Sequence, residues 1–303
     1  MLAIIIPFYK LTFFEETLQS LANQTDKRFK VYIGDDASPE NPLSLIQKYQ
    51  GKFEHIYHRF EENVGGTSLV KQWDRCIALS QNEEWIMILG DDDYLDAYVV
   101  ASWYENYNQF YKKAEVIRFA TKMIVQENNE VSEKFEHPVW ESATDSYLRK
   151  FNHQTRSSLS EYIFSRKTYI KHHFYDYPLA WNSDDQAWLD FSWNKPIYSI
   201  NESIVFVRLS QLNISGKTDN CFLKNKSQVS FYKKIIYDKL LYYKKKERTS
   251  LLRKYENEIL KTRKLTLSEW KDLFYYYLRF FNFKEFKKIT KRFLKTIFKS
   301  YDY

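Results

Sequence analysis

Cysteine is nearly absent from the 303 residues: Cys76 and Cys221 stand far apart and offer no framework of disulfides. No stretch approaches the roughly 18 to 20 uninterrupted apolar residues that a bilayer-crossing helix needs, so the chain is read as one that does not span a membrane. No basic-then-apolar leader precedes the first strand-like run, which points to the reducing cytoplasm. Internal repeats and low-complexity linkers are also missing. Around Asn63, Gly65 and Gly66 the lysine and the Ser or Thr of a Walker-type phosphate loop are absent. His172 and His173 are adjacent, which points their side chains apart in a helix or a strand. His55, His58, His137 and His153 show no metal-ligand spacing.

Aromatic rings are abundant instead: 18% of residues, with 25 Tyr and 23 Phe, far above ordinary usage. The 44% hydrophobic and 28% charged composition is globular, and the length suits one large domain with an appendage. The net charge of +7 is unevenly spread. Residues 217–303 carry 24 Lys and Arg against 9 Asp and Glu, whereas residues 1–216 carry 22 against 30. An acidic body therefore bears a basic tail, and basic tails seek anionic partners such as lipid headgroups or nucleic acid.

The order of apolar runs predicts the fold class. Leu2 to Ile6, closed by Pro7, reads as a buried strand, and Glu15 to Ala22 as a helix with Leu18 and Leu21 on one face. Phe29 to Ile33 is a second strand that stops at Gly34, Asp35 and Asp36. A helical pattern follows through Leu43, Ile46 and Tyr49, then strand character from His55 to Arg59, a helix from Leu69 to Leu79, and an apolar run from Trp85 to Leu89. Such alternation predicts an α/β fold with a mostly parallel, Rossmann-like sheet flanked by helices, whose ligands bind beyond the carboxyl ends of the strands. Val116 to Val125 and Val131 to Trp140 are strand-like, and Ile197 to Leu209 reads as a strand pair. After Gly216 the pattern is that of two or three helices, a C-terminal helical appendage.

Two acidic clusters sit at strand ends. Asp91, Asp92 and Asp93 follow Gly90, and clustered carboxylates there suit Mn²⁺ or Mg²⁺, hard ions that neutralise a departing diphosphate. An acidic turn or a helix N-terminus is the alternative. Asp35 and Asp36 in GDDAS suit hydrogen bonds to a base or ribose, or an Asx-type turn. A third pair, Asp184 and Asp185 in WNSDDQAW, offers a general base for an acceptor hydroxyl, or simply caps a helix. Lys71 is a candidate diphosphate contact or a solvated helix lysine.

The ordered set IIIPFY, QSLANQTDKRFKVYIGDDAS, NVGG, WIMILGDDDYL and SDDQAW resembles inverting family 2 glycosyltransferases of the GT-A fold, bacterial enzymes that build surface polysaccharides such as lipopolysaccharide and capsule. The likeness covers about residues 1–216. It implies a catalytic domain with a nucleotide-binding half over about 1–98 and an acceptor half over about 99–216, followed by the basic aromatic tail, 217–303. It implies that Pro7 and Tyr9 line the nucleotide pocket with Asn63 and Gly65, and that Asp36 reads the base with Asp35 beside it. Asp91 and Asp92 match the metal and ribose pair and Asp93 extends it. Gly90 stands where many relatives have aspartate, so Asp91 and Asp93 are the alternative ligating pair. Asp185, beside Asp184, matches the catalytic base. The implied reaction is a single displacement from a nucleotide-sugar, a UDP-sugar first, to a hydroxyl of a saccharide or lipid-linked saccharide.

Where many relatives carry a histidine two positions past an arginine, this chain has Arg208 and Ser210, which implies weak metal binding without donor. RLSQLNISG is the expected loop over the donor, with Arg208 and Ser215 as phosphate contacts. In the tail, Phe286, Ile289, Phe293 and Ile297 recur at helical steps, with Lys287, Lys288, Lys291, Arg292, Lys295 and Lys299 on the remaining faces. A basic amphipathic helix of this kind, within 268–299, suits the anionic inner face of the cytoplasmic membrane. Packing of the stripe on protein is the alternative. Two other functions compete: nucleic-acid binding through the tail, which the acidic clusters oppose, and a non-catalytic scaffold with a degenerate donor site.

Overall fold

The computed structural model describes residues 1–128, 130–280 and 283–298. Its strands are β1 (Leu2–Phe8), β2 (Phe29–Asp35), β3 (Glu54–Arg59), β4 (Trp85–Ile88), β5 (Tyr94–Leu95), β6 (Val116–Val125), β7 (Glu130–Val131), β8 (Trp140–Glu141), β9 (Tyr162–Ser165) and β10 (Ile197–Leu209). Its α-helices are α1 (Phe14–Ala22), α2 (Leu43–Lys48), α3 (Leu69–Ile77), α4 (Val99–Phe110), α5 (Ala143–Phe151), α6 (Arg166–His172), α7 (Ser183–Phe191), α8 (Cys221–Lys234), α9 (Lys245–Leu260), α10 (Leu267–Arg279) and α11 (Phe283–Phe298). Residues up to Asp219 form one compact unit and those from Asn220 onward a second.

In the first unit one sheet runs β3-β2-β1-β4-β9-β6-β10-β5, with β7 on β6 and β8 on β10. β1 lies parallel to both β2 and β4, and β2 parallel to β3. A central strand in such a sheet is covered on both faces, which is why β1 is a continuous apolar run. Alternation still sorts its side chains. Leu2, Ile4, Ile6 and Phe8 join a core with α1, α2 and α4, and Ala3 and Ile5 join another with α3, α6 and α7. The aromatic surplus fills both layers. Trp103 packs on Trp85 and Phe110 in the first, while Phe164, Phe174, Trp188 and Phe191 cluster in the second.

Two strand expectations change. Ile197 to Leu209 is one strand of 13 residues, not a pair; a bulge between Ile200 and Ile204 takes up the polar residues that resemble a turn. Asp96 secures the bulge by accepting the Ile204 amide hydrogen at 2.8 Å. Val131 to Trp140 is not a strand either. Its two ends pair as short strands and Phe135 makes a single bridge to Thr121, while Pro138 has no N–H to give a ladder. The Asn201 side chain instead holds that segment, bonding both the N–H and the carbonyl of His137.

Among the described residues the second unit holds the α-helices α8 to α11. Thr266 and Glu269 form a reciprocal capping box that starts α10. The apolar stripe of α11 faces α10: Phe293 meets Trp270 at 5.3 Å and Phe274 at 5.4 Å, Phe286 meets Phe274 at 5.6 Å, and Ile289 is fully buried. Ile289 is therefore core and Phe286 and Phe293 are half-buried against α10, so the stripe packs on protein, the alternative to its entering a bilayer. Lys299 lies outside the described residues, as does the side chain of Ile297. Arg292 reaches back to Glu256 at 2.6 Å, and Arg253 pairs with Glu285.

At Gly34, where β2 crosses under α3, an added Cβ would stand 2.2 Å from the Cys76 sulfur. Gln72 of α3 also donates to the Gly34 carbonyl at 3.0 Å, so the helix and the strand are held at close range. Gly34→Ala should therefore cost about 1–3 kcal/mol by overpacking, read as a lower urea midpoint. Combining it with Cys76→Ala, which removes the obstructing sulfur, should recover part of that loss.

Candidate active site

The strand order reverses between β1 and β4, and such a switch point opens a crevice beyond the carboxyl ends of the strands. Asp91 closes the bottom of this crevice. Its Oδ2 accepts the amide hydrogens of Tyr9 at 2.7 Å and Lys10 at 2.9 Å, tying the turn after β4 to the chain leaving β1. Pro7 is half-buried at the end of β1, and the Tyr9 ring is exposed beside it. Asp92 accepts the Asn213 side-chain amide at 3.2 Å, and Asn213 also donates to the Arg208 carbonyl. The Lys10 ammonium donates to the Leu212 carbonyl. The segment after β10 is thereby folded onto Asp92. Gly216 makes that fold feasible, since a Cβ there would stand 2.0 Å from the Ser210 carbonyl oxygen.

Asp93 has a different role. Its Oδ1 accepts the Arg208 amide at 2.8 Å and its Oδ2 accepts the Ser160 hydroxyl at 2.5 Å, so both oxygens are committed to joining β10 and the approach to β9. The Arg208 guanidinium is buried over the Phe13 ring. It donates to the Asp92 carbonyl, Gln126 and Glu16, and its donors are spent within the protein rather than offered to a phosphate. Ser215 is exposed.

The three aspartates repel one another in a poorly solvated place. Burial and the Asp92 charge push Asp91 up to about 7 against the Tyr9 and Lys10 hydrogen bonds, and the same causes push Asp93 up to about 7. Burial raises Asp92 as well. Among the described residues no group of three or more His, Cys, Asp or Glu side chains is arranged to hold a metal ion. Asp91 Oδ1 and Asp92 Oδ1, however, receive no hydrogen bond from another described residue. Two hard carboxylate oxygens suit a Mg²⁺ or Mn²⁺ ion that takes its remaining ligands from a diphosphate and water.

At the end of β2 both carboxylates are structural braces. Asp35 is fully buried, accepting Tyr57 Oη at 2.6 Å, Arg59 at 2.8 Å and the Ser38 amide at 2.8 Å. Asp36 is 4% exposed and gathers the amides of Val64 and Gly65 at 2.8 and 2.9 Å, together with Arg75. Burial raises its pKa even so. Asp36 thus shapes the loop at Asn63 and Gly65, with Oδ1 taking two hydrogen bonds and Oδ2 one. Gly65 lets the carboxylate approach, for a Cβ there would fall 2.4 Å from Asp36 Oδ2. Asn63 closes the turn by accepting the Gly66 amide, and Lys71 is exposed in the first turn of α3.

The third pair opens α7. Asn182, the residue before the helix, adopts a left-handed conformation with φ 69° and donates to Asp185 Oδ2 at 2.8 Å. Lys150 of α5 meets Asp185 Oδ1 at 2.6 Å. Tyr162 of β9, two residues past Ser160, stacks on Trp188 of α7 at 4.1 Å, so one short segment braces both Asp93 and the helix that carries Asp185. Lys150, Ser160, Asn182 and Asn213 carry no sequence signal of their own; each is an ordinary polar residue until the fold places its partner. Among the described residues no side chain hydrogen-bonds Asp184, which burial and the Asp185 charge push up to about 7.

Raising Asp184 has a definite sign for stability. Between its ordinary value of 3.8 and about 7 the folded chain holds a proton that the unfolded chain has released, so stability falls as pH rises through that window. Asn at this position is neutral at every pH. Thermal melts should show Asp184→Asn gaining on the parent protein between about pH 4 and pH 8; a constant difference would mean the carboxyl titrates normally.

The sequence profile described as Glycosyl transferase family 2 matches residues 3–183, from β1 to the first residue of α7. The poly(ribitol-phosphate) beta-N-acetylglucosaminyltransferase TarS of Staphylococcus aureus is 32% identical over 98 residues, 31% of this chain. That match spans only 16% of the relative's length. The crystal structure of S. aureus TarS residues 1–349 in complex with UDP-GlcNAc superposes with a TM-score of 0.64 at 16% identity, covering 92% of this chain and 80% of that one. A longer TarS structure gives 0.62 at 16% identity, covering 90% of this chain and 47% of that one. The two proteins share the GT-A fold, and the profile takes in the switch point and both strand-end aspartate clusters but stops short of Asp184 and Asp185: the chain belongs to glycosyl transferase family 2.

Proposed function

We propose that the enzyme transfers a sugar from a UDP-sugar to an acceptor hydroxyl in a single inverting displacement. The observation that carries this reading is the pair of open carboxylate oxygens, Asp91 Oδ1 and Asp92 Oδ1, at the β1/β4 switch point. N-Acetylglucosamine is the first sugar to test, since TarS was crystallised with UDP-GlcNAc. The donor occupies the half formed by residues 1–98, with Pro7 and the exposed Tyr9 ring against the nucleotide and the loop at Asn63 and Gly65 as a wall. Lys71, exposed in the first turn of α3, reaches the phosphates, with Ser215 as a second contact. Asp91 and Asp92 hold Mg²⁺ or Mn²⁺, which when bound supplies positive charge to the leaving diphosphate.

Residues 99–216 receive the acceptor. Asp185 takes the proton from its hydroxyl as that oxygen bonds to the anomeric carbon. The bond from that carbon to the diphosphate breaks, its electron pair leaves with UDP, and no covalent enzyme intermediate forms. A saccharide or lipid-linked saccharide of a bacterial surface polymer is the acceptor class, and the TarS name adds a polyol phosphate chain to those worth testing.

Titration calorimetry with UDP-GlcNAc and UDP, with and without Mn²⁺, tests the donor site. Metal-dependent binding that Asp92→Ala abolishes is expected. Binding indifferent to both metal and variant would remove the carboxylate pair from the donor site.

The basic tail, 217–303, brings the enzyme to the inner face of the cytoplasmic membrane by charge alone. Lys284, Lys287, Lys288, Lys291 and Lys295 of α11 are exposed, whereas Phe286, Ile289 and Phe293 pack within the second unit. Among the described residues no helix is long and apolar enough to cross a membrane. Vesicles rich in phosphatidylserine should therefore bind the protein at low salt and release it at high salt. Replacing Lys284, Lys287 and Lys291 by Glu should weaken that binding; equal binding by the variant ends the idea.

A further inference from the structure

Asp185 is not a free carboxylate, and what holds it has a role in the reaction. Its side chain is 4% exposed, flanked by the Lys150 ammonium at 2.6 Å and the Asn182 amide at 2.8 Å. Lys150 is itself fixed from below. The α5 helix starts at a Ser142 cap, and its Arg149 is clamped to Glu141 at 2.6 and 2.9 Å. Glu141 also accepts from the buried Arg118, whose other nitrogens bond Ser146 of the same helix and Ser199 of β10. This network anchors α5 to the sheet, and the next residue after Arg149 delivers its ammonium to Asp185. Both groups line one narrow cavity with Arg156, Ser157, Tyr162 and Trp188.

We propose that Lys150 is the positioning residue for sugar transfer: its ammonium holds the Asp185 carboxylate turned toward the acceptor hydroxyl. This rests on Asp185 being the base. At 4% exposure little water reaches the carboxylate, so its two bonds, one on each oxygen, fix the plane of the group. Neighbouring charges sharpen the need. Asp184 adjoins it on α7 and Glu161 lies before β9, two carboxyl groups that burial pushes upward, while Arg156 is paired with Glu161 at 3.1 Å and Tyr162 of β9 is neutral. Lys150 is thus the cation committed to Asp185. It also sets a working division: Lys150 and Asn182 each take one lone pair, one on each oxygen, and leave the others for the proton.

The test measures transfer against pH for Lys150→Met, Lys150→Arg and Asp185→Asn, each checked for folding by circular dichroism and for UDP affinity by calorimetry. Asp185→Asn should lower turnover by about 10²-fold or more with UDP binding intact. Lys150→Met should lower kcat at least about tenfold at neutral pH and move the acid limb of the kcat profile upward by about one pH unit or more, because losing an adjacent cation raises the carboxylate. Lys150→Arg should restore the limb. If Lys150→Met fails to fold, Lys150→Gln, which keeps a donor without the charge, is expected to show the same upward shift. An unmoved acid limb in Lys150→Met or Lys150→Gln, with Asp185→Asn inactive, overturns the role of Lys150 alone. Parent-like turnover in Asp185→Asn overturns the base reading and with it this one.

Discussion

The bonds from the Tyr9 and Lys10 amides to the Asp91 carboxylate are the constraint on which the donor side depends. A strand that leaves a parallel sheet carries amide groups that no neighbouring strand will satisfy, and a crevice floor is a poor place to leave them unpaired. One carboxylate answers two of them. In doing so it fixes the direction in which the chain departs from β1, and so where the Tyr9 ring stands and where the Lys10 ammonium reaches. That ammonium then secures the carbonyl of Leu212, in the segment that Asn213 folds onto Asp92. Loosening Asp91 would release both walls of the crevice.

Three adjacent aspartates divide this labour unequally. Asp93 spends both oxygens on architecture, linking β10 and the approach to β9, whereas Asp91 spends one and Asp92 one. Burial already raises all three groups, and the Asp92 charge raises Asp91 and Asp93 further. Such crowding costs stability in the unliganded protein, and under the proposed function a cation arriving with a diphosphate would relieve it. Affinity for the donor and electrostatic strain in its absence are therefore two faces of one arrangement. The same logic separates Asp184 from Asp185. Equal in the sequence, they differ because only Asp185 is within reach of a lysine.

The sheet and its acidic rim were legible because periodicity and strand-end chemistry act locally. β1, β2 and β4 announce themselves as apolar runs, and Asp35, Asp36 and Asp91 to Asp93 follow directly in the chain. The roles within that rim were less legible. Whether a carboxylate is open or already bonded depends on partners far away, as with Asp36 and Arg75, or Asp93 and Arg208. Arg208 shows the limit clearly. Position and residue type suggest a phosphate contact, but Phe13, Glu16 and Gln126 claim its guanidinium. Ile197 to Leu209 misled for another reason: Asn201, Glu202 and Ser203 resemble a turn, yet a bulge accommodates the same polar residues without reversing the chain.

An amphipathic stripe states that a helix needs a cover without saying which. In α11 the cover is protein, since Trp270 and Phe274 offer rings that match Phe286 and Phe293 edge to face. With the apolar side satisfied, the exposed lysines keep their charge but lose the hydrophobic partner that would make membrane binding deep and persistent. What remains is a surface that is attracted over roughly one Debye length and let go by salt.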